Sequence, residues 1–296
     1  MRFPSRTLLG AALLLTVSGA GCLPGSVPLE LPAITASALA ERYAGTRAAS
    51  GGERQLLAYD RAGDGRAIEV VGDLAAARTV VVFVPGTGFS LDDFDGTSVS
   101  PAGAARAIHA RAAALSPGEP VAVIGWLGYD APEMTDWQVI TTLPAAKGAM
   151  ALRKLATALR GKERVSLVCH SYGSVVCGQA GAAPGLPVDD IVVLGSPGMG
   201  AATRAELRTP AQVWAALGAK DDVLRPGVRL GPIGYGADPV TPAFGARVFD
   251  GGPGGHNDYL RAGNPALDRI VSIALTGEAS CSRGSCQEGA RPKALG

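Results

Sequence analysis

Residues 165–174 read Val-Ser-Leu-Val-Cys-His-Ser-Tyr-Gly-Ser, and the rest of the chain is organised around them. The first five of these residues form a short apolar run, which predicts a strand buried in a parallel sheet. Ser171 follows between a histidine and a tyrosine, and Gly173 lies two positions further on. Apolar residues then continue over 175–180 with a spacing suited to a helix. The stretch therefore predicts a strand, a sharp turn with a serine at its centre, and a helix.

A serine at such a turn is a candidate nucleophile. The arrangement is that of the nucleophile elbow of serine hydrolases, in which the turn exposes a hydroxyl that becomes reactive once a base removes its proton. The turn also brings the next backbone N–H, that of Tyr172, towards a developing oxyanion. The usual pattern is Gly-x-Ser-x-Gly, and Cys169 stands in place of its first glycine. For this stretch alone, an ordinary strand-to-helix turn with a capping serine is the alternative.

Composition narrows the class of protein and of partner. The chain has 296 residues, enough for one large α/β domain. Its net charge is +1 and its basic residues form no stripe, so we expect no nucleic-acid partner. The sequence has neither zinc-like ligand spacing nor a glycine-rich phosphate loop after a strand, so we expect no metal and no nucleotide cofactor. We expect the protein to be a monomer.

The N-terminus has the features of an export signal. Two arginines precede the apolar run 8–17, which is too short to span a bilayer, and small residues follow up to Cys22. These features predict a signal peptide over 1–22. Cys22 resembles the lipid-modified cysteine of a bacterial lipoprotein, and plain secretion with cleavage near Ala20 is the alternative. Either alternative places the mature protein outside the cytoplasm.

The other four cysteines form two pairs. Cys281 and Cys286 lie in a polar tail, where they would be able to close a small disulfide loop in an oxidising compartment. Cys169 and Cys177 flank the candidate nucleophile, and we expect them to be small core residues rather than a disulfide.

Short apolar runs alternate with alanine-rich helical stretches along 51–278. The predicted strands are 55–59, 67–71, 79–84, 121–127, 165–169, 191–194, 213–217 and 246–249. This alternation predicts one α/β domain, with a mostly parallel sheet covered by helices on both faces. Residues 23–50 predict a tether and an N-terminal helix, and residues 279–296 predict a flexible tail. Ligand sites in such sheets lie outside the carboxyl ends of the strands, where the special motifs of this chain also fall.

Two further residues complete a candidate catalytic triad. An α/β hydrolase needs its nucleophile, acid and histidine in that order along the chain. Asp221 follows the strand 213–217, with its neighbour Asp222 as the competing acid. His256 is the one histidine of three that follows the last predicted strand, and two glycines precede it. Ser171, Asp221 and His256 are therefore the candidate nucleophile, acid and base, with the acid orienting the imidazole.

Two loops at the carboxyl ends of other strands carry further candidate site residues. Pro85-Gly86-Thr87-Gly88 ends the strand 79–84, and hydrolases place a second backbone oxyanion donor there, which makes Thr87 the candidate. A tight turn without such a role is the alternative. Tyr129 and Asp130 follow the strand 121–127, where they either shape substrate binding or only hold the loop in place.

The chain resembles the α/β-hydrolase family once called domain of unknown function 1023, which is found mainly in actinobacteria. Six motifs between about residues 79 and 260 carry the resemblance: Val82-Phe83-Val84-Pro85-Gly86-Thr87-Gly88, Trp126-Leu127-Gly128-Tyr129-Asp130-Ala131-Pro132, His170-Ser171-Tyr172-Gly173-Ser174, Gly195-Ser196-Pro197-Gly198, Ala237-Asp238-Pro239 and Gly255-His256-x-x-Tyr259. The resemblance implies the α/β-hydrolase fold and a serine triad, but no particular substrate. Cys169 and the doubled acid Asp221-Asp222 depart from the family's pattern.

These observations predict a secreted or envelope-anchored serine hydrolase of the esterase or lipase type. We expect it to cleave a carboxylic ester or a related acyl bond in a small-molecule or lipid-like substrate. An acyltransferase with the same triad is one alternative. A non-catalytic binding protein of the cell envelope, built on a hydrolase fold, is the other.

Overall fold

The computed structural model describes residues 29–50, 52–133, 142–222 and 235–279. The predicted signal peptide, Cys22, Cys281 and Cys286 lie outside these residues. Within them, no helix combines the length and the apolar character that crossing a membrane requires.

Strands and helices alternate as the sequence predicts. The strands are β1 (Gln55–Asp60), β2 (Arg66–Val71), β3 (Thr79–Val84), β4 (Val121–Leu127), β5 (Arg164–His170), β6 (Asp190–Leu194), β7 (Gln212–Leu217) and β8 (Arg247–Asp250). The helices are α1 (Ala36–Ser50), α2 (Pro101–Leu115), α3 (Leu143–Ala158), α4 (Gly173–Ala182) and α5 (Pro265–Thr276). The bounds of every predicted strand agree with the structure to within one residue.

All eight strands belong to one sheet, in the order β1-β2-β4-β3-β5-β6-β7-β8. The strands from β4 to β8 run parallel, whereas β2 is antiparallel to both β1 and β4. The predicted α/β fold with a mostly parallel sheet is therefore confirmed. Because parallel strands end at the same edge, the loops after β3, β5, β7 and β8 meet there.

Both faces of the sheet are covered by helices, as the apolar runs predict. In β3, Val80, Val82 and Val84 belong to a core cluster that also contains side chains of α1, α3 and α4. Val81 and Phe83 alternate with them and belong to the opposite cluster, which contains side chains of α2 and α5. Both faces of β3 are buried, which favours apolar side chains on each of them. This is why the sequence of β3 is a nearly continuous apolar run.

Helix α1 packs onto this domain. The side chain of Leu39 is buried, and the Thr46 hydroxyl donates a hydrogen bond to the backbone oxygen of Leu56 in β1 at 3.2 Å. The N-terminal helix predicted within residues 23–50 therefore covers the edge of the sheet formed by β1.

Helix α5 was not predicted, although its ends carry clear signals. The Asn264 side chain accepts a hydrogen bond from the backbone N–H of Ala266, Pro265 occupies the first turn, and Gly277 ends the helix at a φ of 76°. These are the residue types that cap and terminate helices. A two-hydrogen-bond ion pair between Arg111 and Asp268 then ties α2 to α5.

Candidate active site

Ser171 occupies the turn between β5 and α4 in a strained backbone conformation. Its φ is 52°, and in the described part of the chain only Arg208 shares a positive φ among non-glycine residues. A side chain at positive φ costs energy that the surrounding structure has to supply, and such residues cluster at functional sites. The backbone N–H of Ser171 donates to the Leu194 oxygen at the end of β6, which holds the turn against the neighbouring strand.

Two glycines allow the elbow to pack tightly against the end of β3. A β-carbon on Gly173 would lie 2.5 Å from the backbone oxygens of Val84 and Pro85, closer than any real side chain comes. A β-carbon on Gly86 would lie 2.9 Å from the β-carbon of Ser171. Thr87 directly follows Gly86 and Tyr172 directly follows Ser171, so the two candidate oxyanion residues each adjoin a residue of this contact.

The elbow also contains a disulfide between Cys169 and Cys177. The expectation that these residues are separate core cysteines is wrong. Helix α4 turns back over β5 directly after the elbow, which brings the two Cα atoms to 6.6 Å, within the reach of a disulfide. Both residues are fully buried. Cys169 thus replaces the first glycine of the usual pattern with a covalent link between the strand and the helix on either side of Ser171.

Asp221 and His256 lie together in the structure. The Nδ1 atom of His256 is 3.0 Å from Oδ2 and 3.1 Å from Oδ1 of Asp221. The Asp221 side chain is completely buried, whereas Asp222 is exposed. With Nδ1–H donated to the carboxylate, the Nε2 atom of His256 is left to accept a proton. Between the two neighbouring acids, the geometry favours Asp221 as the partner of the histidine.

His256, the candidate base, contacts His170 and therefore lies beside the elbow. The rings of His170 and His256 have their centroids 4.6 Å apart, and His170 directly precedes Ser171. No hydrogen bond joins the Ser171 hydroxyl to His256 among the described contacts. Catalytic hydrogen bonds are often long when no substrate is bound, so this geometry is compatible with a triad.

His170 supports the loop that carries His256. Its Nε2–H donates to the backbone oxygen of His256 at 2.7 Å, which fixes the proton on Nε2 and leaves Nδ1 buried without a partner in the described structure. Burial, followed by the proximity of His256, lowers the pKa of His170 from 6.5 to about 4. His170 is therefore neutral at neutral pH. Nothing in the sequence around His170 indicated this role.

Tyr259 is a second residue whose role the sequence analysis did not identify. Its hydroxyl donates to Oδ2 of Asp221 at 2.6 Å and accepts a hydrogen bond from the backbone N–H of Gly218 at 2.9 Å. The side chain is fully buried. Its position three residues after His256, within a motif of the family resemblance, was the only available signal.

Tyr129 and Asp130 lie in different environments. Tyr129 is buried and its ring stacks on Trp126, with a centroid separation of 5.5 Å. Asp130 lies at the surface. Its partial desolvation, followed by a hydrogen bond with the Asp64 carboxyl, raises the pKa of Asp130. The same loop contacts the loop that carries Thr87, because the Gly88 N–H donates to the Pro132 oxygen at 3.2 Å.

The fold and this site define an α/β hydrolase, and comparison with known proteins agrees. The model of the alpha/beta hydrolase family matches residues 60–232, more than half of the chain. The chain therefore belongs to the alpha/beta hydrolase family.

Relatives with similar sequences occur in mycobacteria. The uncharacterized protein Rv2079 of Mycobacterium tuberculosis is 31% identical over 261 residues, which cover 74% of this chain and 39% of that protein. The uncharacterized protein Mb0988c of Mycobacterium bovis is 32% identical over 196 residues, which cover 60% of this chain and 71% of that protein. The chain thus spans well under half the length of the first of these relatives.

Two hydrolases are among the solved structures that this chain resembles. The structure of esterase PE8 aligns with 68% of this chain and 93% of its own, with 17% identity and a TM-score of 0.46. An α/β serine hydrolase without a lid from Xanthomonas campestris aligns with 76% of this chain and 93% of its own, with 14% identity and a TM-score of 0.43.

Proposed function

We propose that the protein is a serine hydrolase that cleaves a carboxylic ester or a related acyl bond outside the cytoplasm. The observation that carries the proposal is the buried hydrogen bond between Asp221 and His256, placed beside a serine with positive φ at a strand-to-helix turn. We also assign the chain, within the alpha/beta hydrolases, to the actinobacterial family that its motifs resemble.

The proposed reaction has two steps, formation of an acyl-enzyme and its hydrolysis. In the first step, the Ser171 oxygen attacks the carbonyl carbon while Nε2 of His256 takes the hydroxyl proton. The backbone N–H groups of Thr87 and Tyr172 stabilise the oxyanion, and the C–O bond breaks as His256 passes the proton to the leaving alcohol. In the second step, water attacks the acyl-enzyme, gives its proton to His256, and releases the carboxylic acid as the proton returns to Ser171.

A fluorophosphonate probe tests the nucleophile, since it forms a covalent bond with activated serines. We expect the purified protein to be labelled at Ser171, as located by peptide mass spectrometry, and Ser171→Ala to lose the label. Ser174→Ala is the matched control, because Ser174 is a buried serine three residues along the chain. Labelling that persists in Ser171→Ala, or that maps to Ser174 or Ser196, would refute the assignment of the nucleophile.

The proposed location rests on the sequence signal and on the buried disulfide, since structural disulfides persist mainly in oxidising compartments. If Cys22 is lipidated, Cys22→Ser should move the protein from the membrane fraction to the soluble fraction with its esterase activity intact. Cys281→Ser is the control for loss of a cysteine. An unmodified mature N-terminus before Cys22 would establish plain secretion instead.

A further inference from the structure

The phenol of Tyr259 is a buried hydroxyl that is hydrogen-bonded to the acid of the acid–base pair. Tyr259 belongs to the same loop as His256, three residues further along the chain, and none of its side chain is exposed. Its oxygen lies 2.6 Å from Oδ2 of Asp221, the same carboxylate that binds His256. A distance this short is typical of a hydrogen bond that is strengthened by charge.

A second hydrogen bond occupies the acceptor side of the phenol oxygen. The backbone N–H of Gly218, at the end of β7, lies 2.9 Å from the Tyr259 oxygen and can only donate. The phenol oxygen therefore accepts from Gly218, and its own proton is donated to the Asp221 carboxylate, which can only accept while it is ionised. One chain of hydrogen bonds thus runs from the backbone after β7, through Tyr259 and Asp221, to His256.

Burial makes this contact important for the acid. The Asp221 side chain has no solvent exposure, and an ionised carboxylate without water is stable only when hydrogen bonds replace the water. The titratable groups of described residues that face Asp221 include His256, Tyr259 and the neutral His170. Burial, followed by the nearby Asp221 carboxylate, raises the pKa of Tyr259 well above its usual range, so the phenol keeps its proton and remains a donor.

We propose that Tyr259 is a positioning residue of the triad, whose hydroxyl orients the Asp221 carboxylate towards His256 and keeps that carboxylate ionised. The proposal rests on the proposed triad. Tyr259 touches neither substrate nor the reacting atoms, and it acts only through Asp221. With one carboxylate oxygen bound by the phenol, the carboxylate is held in the orientation that binds Nδ1–H of His256, which in turn keeps Nε2 available for the proton of Ser171.

Tyr259→Phe is the first test, because it keeps the ring and removes the hydroxyl. Hydrolysis of p-nitrophenyl butyrate, expressed per fluorophosphonate-labelled site, should show kcat reduced by about 10- to 100-fold with KM unchanged, the effect of losing one hydrogen bond to a buried charge. The acid limb of the pH–rate profile should move to higher pH. Without the phenol, Asp221 takes up a proton more easily and, while ionised, holds the imidazolium of His256 more strongly.

Tyr43→Phe is the matched control, since it removes another buried tyrosine hydroxyl, one that has no partner in the described structure and lies on α1. It should change neither kcat nor the acid limb. If Tyr259→Phe behaves like Tyr43→Phe, with wild-type kcat and acid limb, Tyr259 has only a packing role and the proposal is wrong.

Two further variants keep the test decisive. If Tyr259 acts only through Asp221, the double variant Asp221→Asn with Tyr259→Phe should be no slower than Asp221→Asn alone, whereas independent contributions would multiply. If Tyr259→Phe does not fold, 3-fluorotyrosine at position 259 keeps the ring and provides a more acidic donor. The acid limb should then move to lower pH, and an unchanged limb would overturn the proposal.

The same assays separate this proposal from the function on which it rests. Wild-type turnover per mole of folded protein in Ser171→Ala or His256→Ala would refute the triad itself. Loss of activity in those two variants, together with wild-type behaviour of both position-259 variants, would refute only the role of Tyr259.

Discussion

The two halves of the candidate active site are held together in different ways. At the elbow, close steric contacts at Gly173 and the Cys169–Cys177 disulfide fix the backbone around Ser171. The other half brings together Asp221 and His256 from loops after β7 and β8, and hydrogen bonds join them. Steric and covalent contacts do not depend on protonation, whereas these hydrogen bonds do. The backbone geometry around Ser171 should therefore persist at pH values that disrupt the hydrogen bonds between Asp221 and His256.

The largest expected effect comes from breaking the hydrogen-bonded half. Asp221→Asn should lower kcat by about 10⁴-fold, because the amide no longer holds the imidazole in the tautomer that accepts the serine proton. The measurement is the rate of p-nitrophenyl butyrate hydrolysis per folded protein. The neighbouring Asp222→Asn changes an exposed side chain and should leave the rate close to that of the wild type. The reverse pattern would move the acid to Asp222.

A second test breaks the sterically fixed half. Gly173→Ala would place a β-carbon 2.5 Å from two backbone oxygens, so the elbow has to move. We expect the free energy of unfolding, measured in denaturant, to fall by about 3 kcal/mol. Gly45→Ala is the control, because a β-carbon there meets nothing within 4 Å and alanine favours a helix. Equal stability of the two variants would show that the elbow is less rigid than the contacts indicate.

Removal of the covalent link should have a smaller effect. The double variant Cys169→Ala with Cys177→Ala loses a bridge between residues eight positions apart, which should lower the free energy of unfolding by about 2 to 3 kcal/mol. Wild-type protein unfolded in the presence of a reductant should approach the same value. An unchanged denaturation midpoint in the double variant would show that sterics alone fix the elbow.

The smallest expected effect is a loss of stability at acid pH that is caused by His170. Burial lowers the pKa of His170 to about 4 in the folded state, from about 6.5 when unfolded. The unfolded chain therefore binds more protons between these values, and stability present above pH 6.5 is lost as the pH falls towards 4. The loss should reach about 2 kcal/mol between pH 7.5 and pH 5.

Thermal unfolding as a function of pH measures this loss. His170→Gln should flatten the profile over that range, and His109→Gln is the control that removes a histidine from α2 instead. A slope that is the same in His170→Gln and in the wild type would show that other groups cause the acid instability.

The two halves of the site also differ in how far the sequence predicts them. The elbow is local in sequence, so a strand, a serine and a glycine within ten residues were enough to predict it. The candidate acid and histidine were predicted from their order after successive strands, since the loops after parallel strands lie at one edge of the sheet. The assignment of Asp221 rather than Asp222 required side-chain geometry, because neighbouring residues in a turn point in different directions.

The sequence alone determined the alternation of buried strands and helices, the parallel sheet and the position of the elbow, because these follow from patterns of apolar residues and glycines a few positions apart. Tertiary structure decided the disulfide between Cys169 and Cys177, the support of the His256 loop by His170, and the hydrogen bond from Tyr259 to Asp221. Each of these depends on how far apart two atoms lie after the helices have packed onto the sheet. That distance is set by the whole fold rather than by the spacing of the two residues along the chain.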